Sequence, residues 1–172
     1  MLIKMKNIIG LFLMVTCLLA SSCIEQEFPL FDDSLIEWDA TVMNSPALGK
    51  DFPILIRVPR PTFAIATSDP LITRRIEALN LRVNFVSPQK ESDESFTYRV
   101  VADETTAIEG THYNISGQAV IPANSSFADV QIQILNPGAG TGSVDLVLEL
   151  VGNGAVKASE RYKRVGIRIS QQ

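Results

Sequence analysis

Apolar residues recur at every second position from Ser34 onward, the period of half-buried β-strands. Ile36, Trp38, Ala40 and Val42 share one face, with Glu37, Asp39 and Thr41 on the other. Phe52, Ile54, Ile56 and Val58 repeat the pattern, and Pro53 marks an edge or a strand start. The alternation returns over 79–85, 96–100, 128–134, 144–150 and 165–169, with a shorter piece at 118–121. Turn residues fall between these runs: Ser87-Pro88, Pro122 to Ser126, Asn136-Pro137-Gly138 and Gly152-Asn153-Gly154. Short strands at regular spacing with turn signals between them predict a sandwich or barrel. Its predicted core includes Trp38, Tyr113, Val130, Ile132, Leu146, Leu148 and Ile167.

Two stretches resist this pattern. Residues 71–78 read as the bulged start of the next strand, with a short helix as the alternative. Pro59 to Pro70 carries three prolines and no period. It reads either as a recognition loop, with Arg60 and Phe63 as candidate ligand-binding residues, or as a cover over a sheet edge, a task prolines suit. Gly138 to Gly142 lacks the Lys-Ser/Thr of a phosphate loop and reads as a flexible hairpin loop between Ile134 and Val144.

The chain opens differently. Lys4 and Lys6 precede an apolar run from Ile8 to Ala20, closed by Ser21-Ser22-Cys23. This is a secretory leader, too short and wrongly flanked for a stable membrane span. Its small-small-Cys ending resembles the lipobox of bacterial lipoproteins. The resemblance implies cleavage after residue 22, lipid on Cys23, a tether over 23–33 and one domain over 34–172. Acidic Glu25 and Glu27 resemble the surface-export signals of Bacteroidetes-type lipoproteins; a merely solvated linker is the other reading. Loss of Lys4 and Lys6 takes the net charge from −4 to −6, a poor match for the phosphates of nucleic acid. Cys17 leaves with the leader and Cys23 carries lipid, so no disulfide and no catalytic or metal-binding thiol is expected in the domain.

Phe96 to Leu135 contains Thr105-Thr106-Ala107, then Glu109-Gly110-Thr111-His112-Tyr113, then Ile121-Pro122-Ala123 and the alternating run Ala128 to Ile134. This segment resembles the Calx-beta module and related β-sandwich domains of Bacteroidetes lipoproteins, and 144–150 with 165–169 fits that module's closing strands. The resemblance implies an all-β, Ig-like Greek-key sandwich. Gly110 is a natural site for positive φ, and Tyr113 is expected to bury its ring while its hydroxyl bonds to nearby backbone.

Some Calx-beta modules bind calcium through acids at strand ends, for which Asp103, Glu104 and Glu109, with Asp93 and Glu94, are the candidates. However, His112 stands where the pattern places an aspartate, so solvated carboxylates and no metal are expected. His112 is the only histidine, no G-x-S-x-G elbow is present, and no carboxylate pair stands out, so neither catalysis nor a cofactor is expected. By resemblance, a lipid-anchored accessory of a TonB-dependent importer of glycans or peptides is expected, on the outer membrane and facing the cell surface or the periplasm. The alternative is a structural or adhesive envelope module without a small ligand. Cys23→Ala is expected to remove the lipid mass and release the protein from membranes. A variant that stays membrane-bound would refute the tether.

Overall fold

The computed structural model describes residues 33–39 and 45–172. The leader, Cys23, the tether before Asp33, and Ala40 and Val42 lie outside the described residues. Ten strands are present among the described residues: β1 (Leu35–Trp38), β2 (Ile54–Leu55), β3 (Ala78–Val86), β4 (Glu94–Val100), β5 (Tyr113–Asn114), β6 (Gln118–Ile121), β7 (Phe127–Ile134), β8 (Ser143–Gly152), β9 (Lys157–Ala158) and β10 (Arg164–Ser170). The long runs of alternating residues are strands within a residue or two of where the period places them.

The strands form two layers. One has the order β5-β7-β3-β1 and the other β6-β4-β8-β10-β2. The chain changes layer at each step from β1 to β8, which is why Gly138 to Gly142 is not the hairpin loop expected. β7 pairs with β3 and β5 while β8 pairs with β10, β4 and β9, so this loop crosses between layers. The closing pair does form an antiparallel ladder, with Leu148 opposite Val165 and Leu146 opposite Ile167. β9 stitches the layers at one corner, parallel to β1 and paired to β8 through Gly152 and Lys157. Gly152 makes that corner possible. Its φ is +78°, and an added Cβ would come within 2.2 Å of Val156 O.

Sequence reading over-extended the second run. Only Ile54–Leu55 are strand in 52–58, because Pro53 and the following prolines limit the ladder, and β2 lies parallel to β10. Residues 71–77 form neither helix nor strand: Thr73 makes a lone bridge to Ser170, and regular pairing starts at Ala78. The two-residue β5 and β9 are too short to show a period.

All seven predicted core residues are buried, none more than 3% exposed. Side chains from both layers make one apolar cluster. Truncating Leu148 to Ala is expected to reduce stability by about 2–5 kcal/mol, the range for a buried leucine. The check is the urea midpoint at unchanged slope, and a midpoint equal to wild type would mean that the β8 register is wrong.

Candidate functional site

Residues 56–72 fold back on themselves. Val58 N–H donates to Pro70 O at 2.8 Å and Ile72 N–H to Ile56 O at 3.0 Å. At the tip, Phe63 N–H donates to Arg60 O at 3.1 Å, closing the turn Arg60-Pro61-Thr62-Phe63. Pro61 presets the first central position, and Thr62 has φ +66° at the second, the pattern of a type II turn. A β-branched residue rarely adopts that conformation. It is held by a carboxylate from the end of β1: Thr62 N–H donates to Asp39 Oδ2 at 3.1 Å.

A second carboxylate fixes the guanidinium. Arg60 Nε lies 3.0 Å from Asp69 Oδ1, and Asp69 Oδ2 accepts Ala66 N–H at 2.7 Å. The Arg60 guanidinium sits 5.6 Å from the Phe63 ring centroid, and Phe63 remains 61% exposed. The structure therefore brings the two sequence-selected residues onto one turn. The Arg60 side chain, engaged at Nε by Asp69, remains about half exposed.

Asp39 and Asp69 were not singled out from the sequence. Asp39 was read in phase with Glu37 as a solvent-facing residue, yet it is 2% exposed. The strand ends at Trp38, so the alternation no longer governs Asp39, and its carboxylate turns to the arm. Glu37 stays in phase. Burial, and then the nearby Asp39, push its carboxyl above the usual range, opposed by a hydrogen bond with Ser159.

The remaining candidates disperse. Glu104 faces Lys50 at 2.5 Å and Arg164 at 3.7 Å. Asp93 accepts Ala123 N–H. Hydrogen bonds from Lys90, and then Asn153, hold the Glu94 carboxyl below its usual range. Asp103 and Glu109 are exposed. Among the described residues no three His, Cys, Asp or Glu side chains come together as metal ligands. His112 closes its own turn, its Nδ1 accepting Ile108 N–H at 2.9 Å. Gly110 has φ +74°, as expected. Tyr113 is buried, but its hydroxyl makes no hydrogen bond with the described residues, so the expected backbone staple does not form.

A groove of about 670 Å³ also opens where β1, β8 and β9 meet. Its charges are spent on one another: Lys157 with Asp33 at 2.7 Å, Lys163 with Glu160 at 2.7 Å, and Arg99 with Glu149 at 3.3 Å.

No protein-family model and no curated protein matches the chain. Solved structures do. The apo-form Calx CBD1 domain aligns with a TM-score of 0.52 at 10% identity, covering 81% of this chain and 97% of that one. The Calx CBD2 domain gives 0.45 at 18% identity, covering 59% and 82%. The calcium binding domain CBD12 of CALX1.1 gives 0.47 at 14%, covering 58% and 40%. The fold is thus an Ig-like, Calx-beta-like β-sandwich. At such identity the likeness extends to the fold alone.

Asp39→Ala is expected to speed hydrogen exchange at the Thr62 amide roughly fivefold, the equivalent of losing about 1 kcal/mol of hydrogen bond. Asp39→Asn keeps an acceptor oxygen and should retain most of the protection. Equal exchange in wild type and Asp39→Ala, followed by NMR, would mean that the turn is held by other contacts.

Proposed function

We propose that the protein is a non-catalytic recognition module, held on the outer membrane of a Bacteroidetes-type bacterium by lipid on Cys23 and facing the cell surface. In this reading residues 1–22 are the leader, 23–33 the tether and 34–172 one binding domain. Its role is that of a binding or scaffold accessory in TonB-dependent uptake of a glycan or peptide. The tether suits that role: ten residues from Cys23 to Asp33 reach at most about 35 Å, which keeps the domain beside any importer in the same membrane.

The observation that carries this reading is the Arg60–Phe63 turn. An exposed ring and a guanidinium are fixed in advance by two buried carboxylates, with a β-branched residue held at positive φ between them. Strained backbone of this kind gathers at ligand clamps, and preorganisation lowers the ordering cost of binding. The lone histidine is engaged in its own turn, and Glu94, Glu104 and Glu149 face cations, which supports a binding role over a catalytic one.

Pull-down of the lipidated protein from native membranes is expected to recover importer components. Phe63→Ala should weaken that association about tenfold, the effect of losing an aromatic anchor worth 1–2 kcal/mol. Recovery of adhesive or envelope proteins alone, unaffected by Phe63→Ala, would favour the structural reading instead.

A further inference from the structure

The outward face of the β5-β7-β3 layer is built from carboxamides. Register sets them in rows: Asn114 lies opposite Gln133, Asn80 opposite Gln131, and Asn84 opposite Phe127. Leu79, Leu81, Val130 and Ile132 alternate with them and are buried, so the amides stand on the side away from the core. Two rows are joined across strands. Asn114 Nδ2 donates to Gln133 Oε1 at 2.9 Å, and Gln131 Nε2 to Asn80 Oδ1 at 3.5 Å.

This composition runs against the local structure. Asparagine is depleted in strands, where threonine and other β-branched residues serve a solvated face better. Asn80, Asn84 and Asn114 break that preference on one surface, and such a break without a packing gain marks function. Charges on these three strands are balanced, and Glu37 of β1 lies at their border opposite Asn84. The only formal charges projecting outward from β3, β5 and β7 are Arg82 and Asp129, which oppose each other in register at 3.5 Å. The Arg82 guanidinium stacks 3.9 Å from the Phe127 ring centroid, while Phe127 remains 41% exposed. The buried Arg82 Nε is the atom that faces Asp129, without the alignment of a hydrogen bond. At the edge of these rows a groove of about 560 Å³ opens between β7 and β6, reached by Asn114, Gln131 and Gln133 but not by Asn80, Asn84 or Phe127. That volume falls within the ~300–1,000 Å³ of small-molecule sites.

We propose that this face binds a neutral oligosaccharide. Each carboxamide offers two donors and two acceptor lone pairs, and the cross-strand pairs use only one or two of these. The rest match hydroxyl groups, which also donate and accept. Phe127 supplies an apolar surface for the C–H face of a sugar ring. Mutual pairing of Arg82 and Asp129 leaves β3, β5 and β7 without net charge, and Glu37 at the β1 border disfavours an anionic ligand. The proposal rests on the reading of the protein as a capture module and names what its second layer captures.

The test uses the full lipidated protein in a detergent without a sugar headgroup, with arrays of neutral, sulfated and uronate oligosaccharides and calorimetry on the hits. Neutral oligosaccharides should bind, with little dependence on salt. Gln131→Ala should weaken binding roughly two- to tenfold, the range for one hydrogen bond, and Phe127→Ala about tenfold. Asn80→Thr should hold or raise the melting midpoint yet weaken binding, a separation that a merely structural role would not give. Arg168→Ala, exposed on β10 of the other layer, should change nothing. The proposal is overturned if no neutral oligosaccharide binds, if charged ones or peptides are preferred, or if binding survives all three substitutions. Importer recovery without glycan binding would overturn this inference and leave the uptake reading standing. Glycan binding without an importer would do the reverse.

Discussion

The two layers meet on Trp38. Its ring is 1% exposed and packs edge-on against Tyr98 of the opposite layer, centroids 6.4 Å apart. Its Nε1–H donates to Lys163 O at 3.0 Å, and its backbone N–H to Tyr162 O at 3.0 Å. One residue near the start of the domain thus fixes the last strand, and β1 pairs with β3 on one side and β9 on the other. The described residues contain no cysteine, so this contact and the shared apolar cluster take the place an inter-sheet disulfide holds in antibody domains. Because most pairings join distant segments, the sandwich closes only when such long-range contacts form together.

The same economy appears at the open edges. Ser116 and Ser125 each stand two residues before a strand residue and bond both its backbone groups: Ser116 Oγ with Gln118, Ser125 Oγ with Phe127. Each hydroxyl closes a donor and an acceptor that would otherwise invite another strand. The proline arm protects the far edge in its own way. Ser170 N–H donates to Ile72 O and Arg74 N–H to Ser170 O, so the arm's return limb lies along β10. The edge cover is thus made by residues just after Pro70, and the Arg60–Phe63 turn projects from the same segment without taking part in it.

Much of the architecture was legible because burial imposes a period of two. β3, β4 and β7 each bury one face, and their residues said so directly, whereas β8 and β10 keep the alternation of apolar residues although both faces are covered in mid-strand. What stayed hidden depends on long-range placement. β2, β5 and β9 are too short for a period, and the crossing from β7 to β8 is a matter of which strand lies beside which. Arg60 and Phe63 were legible as residues that proline-rich backbone keeps at the surface. Asp39 and Asp69 were not, because a buried carboxylate looks like a solvated one until the backbone N–H it serves is known. The amide rows lay outside sequence reading for a related reason. Asn80, Gln131, Gln133 and Asn114 sit on three strands, and only the register brings them side by side.

Charge, finally, limits what kind of recognition is open to this surface. Arg168 holds Asp145 through two contacts of 2.8 Å, and Arg99 and Arg164 share Glu149. Lys50 faces Glu104, Lys157 faces Asp33, and Arg60 faces Asp69. Opposite charges paired at contact distance cancel beyond about a Debye length, so they do little to steer a charged ligand from solution. On the proposed reading of this surface, selectivity would then rest on groups that act at contact distance. The exposed rings of Phe63 and Phe127 and the carboxamide rows are such groups, and both kinds discriminate by shape and hydrogen-bond direction rather than by charge.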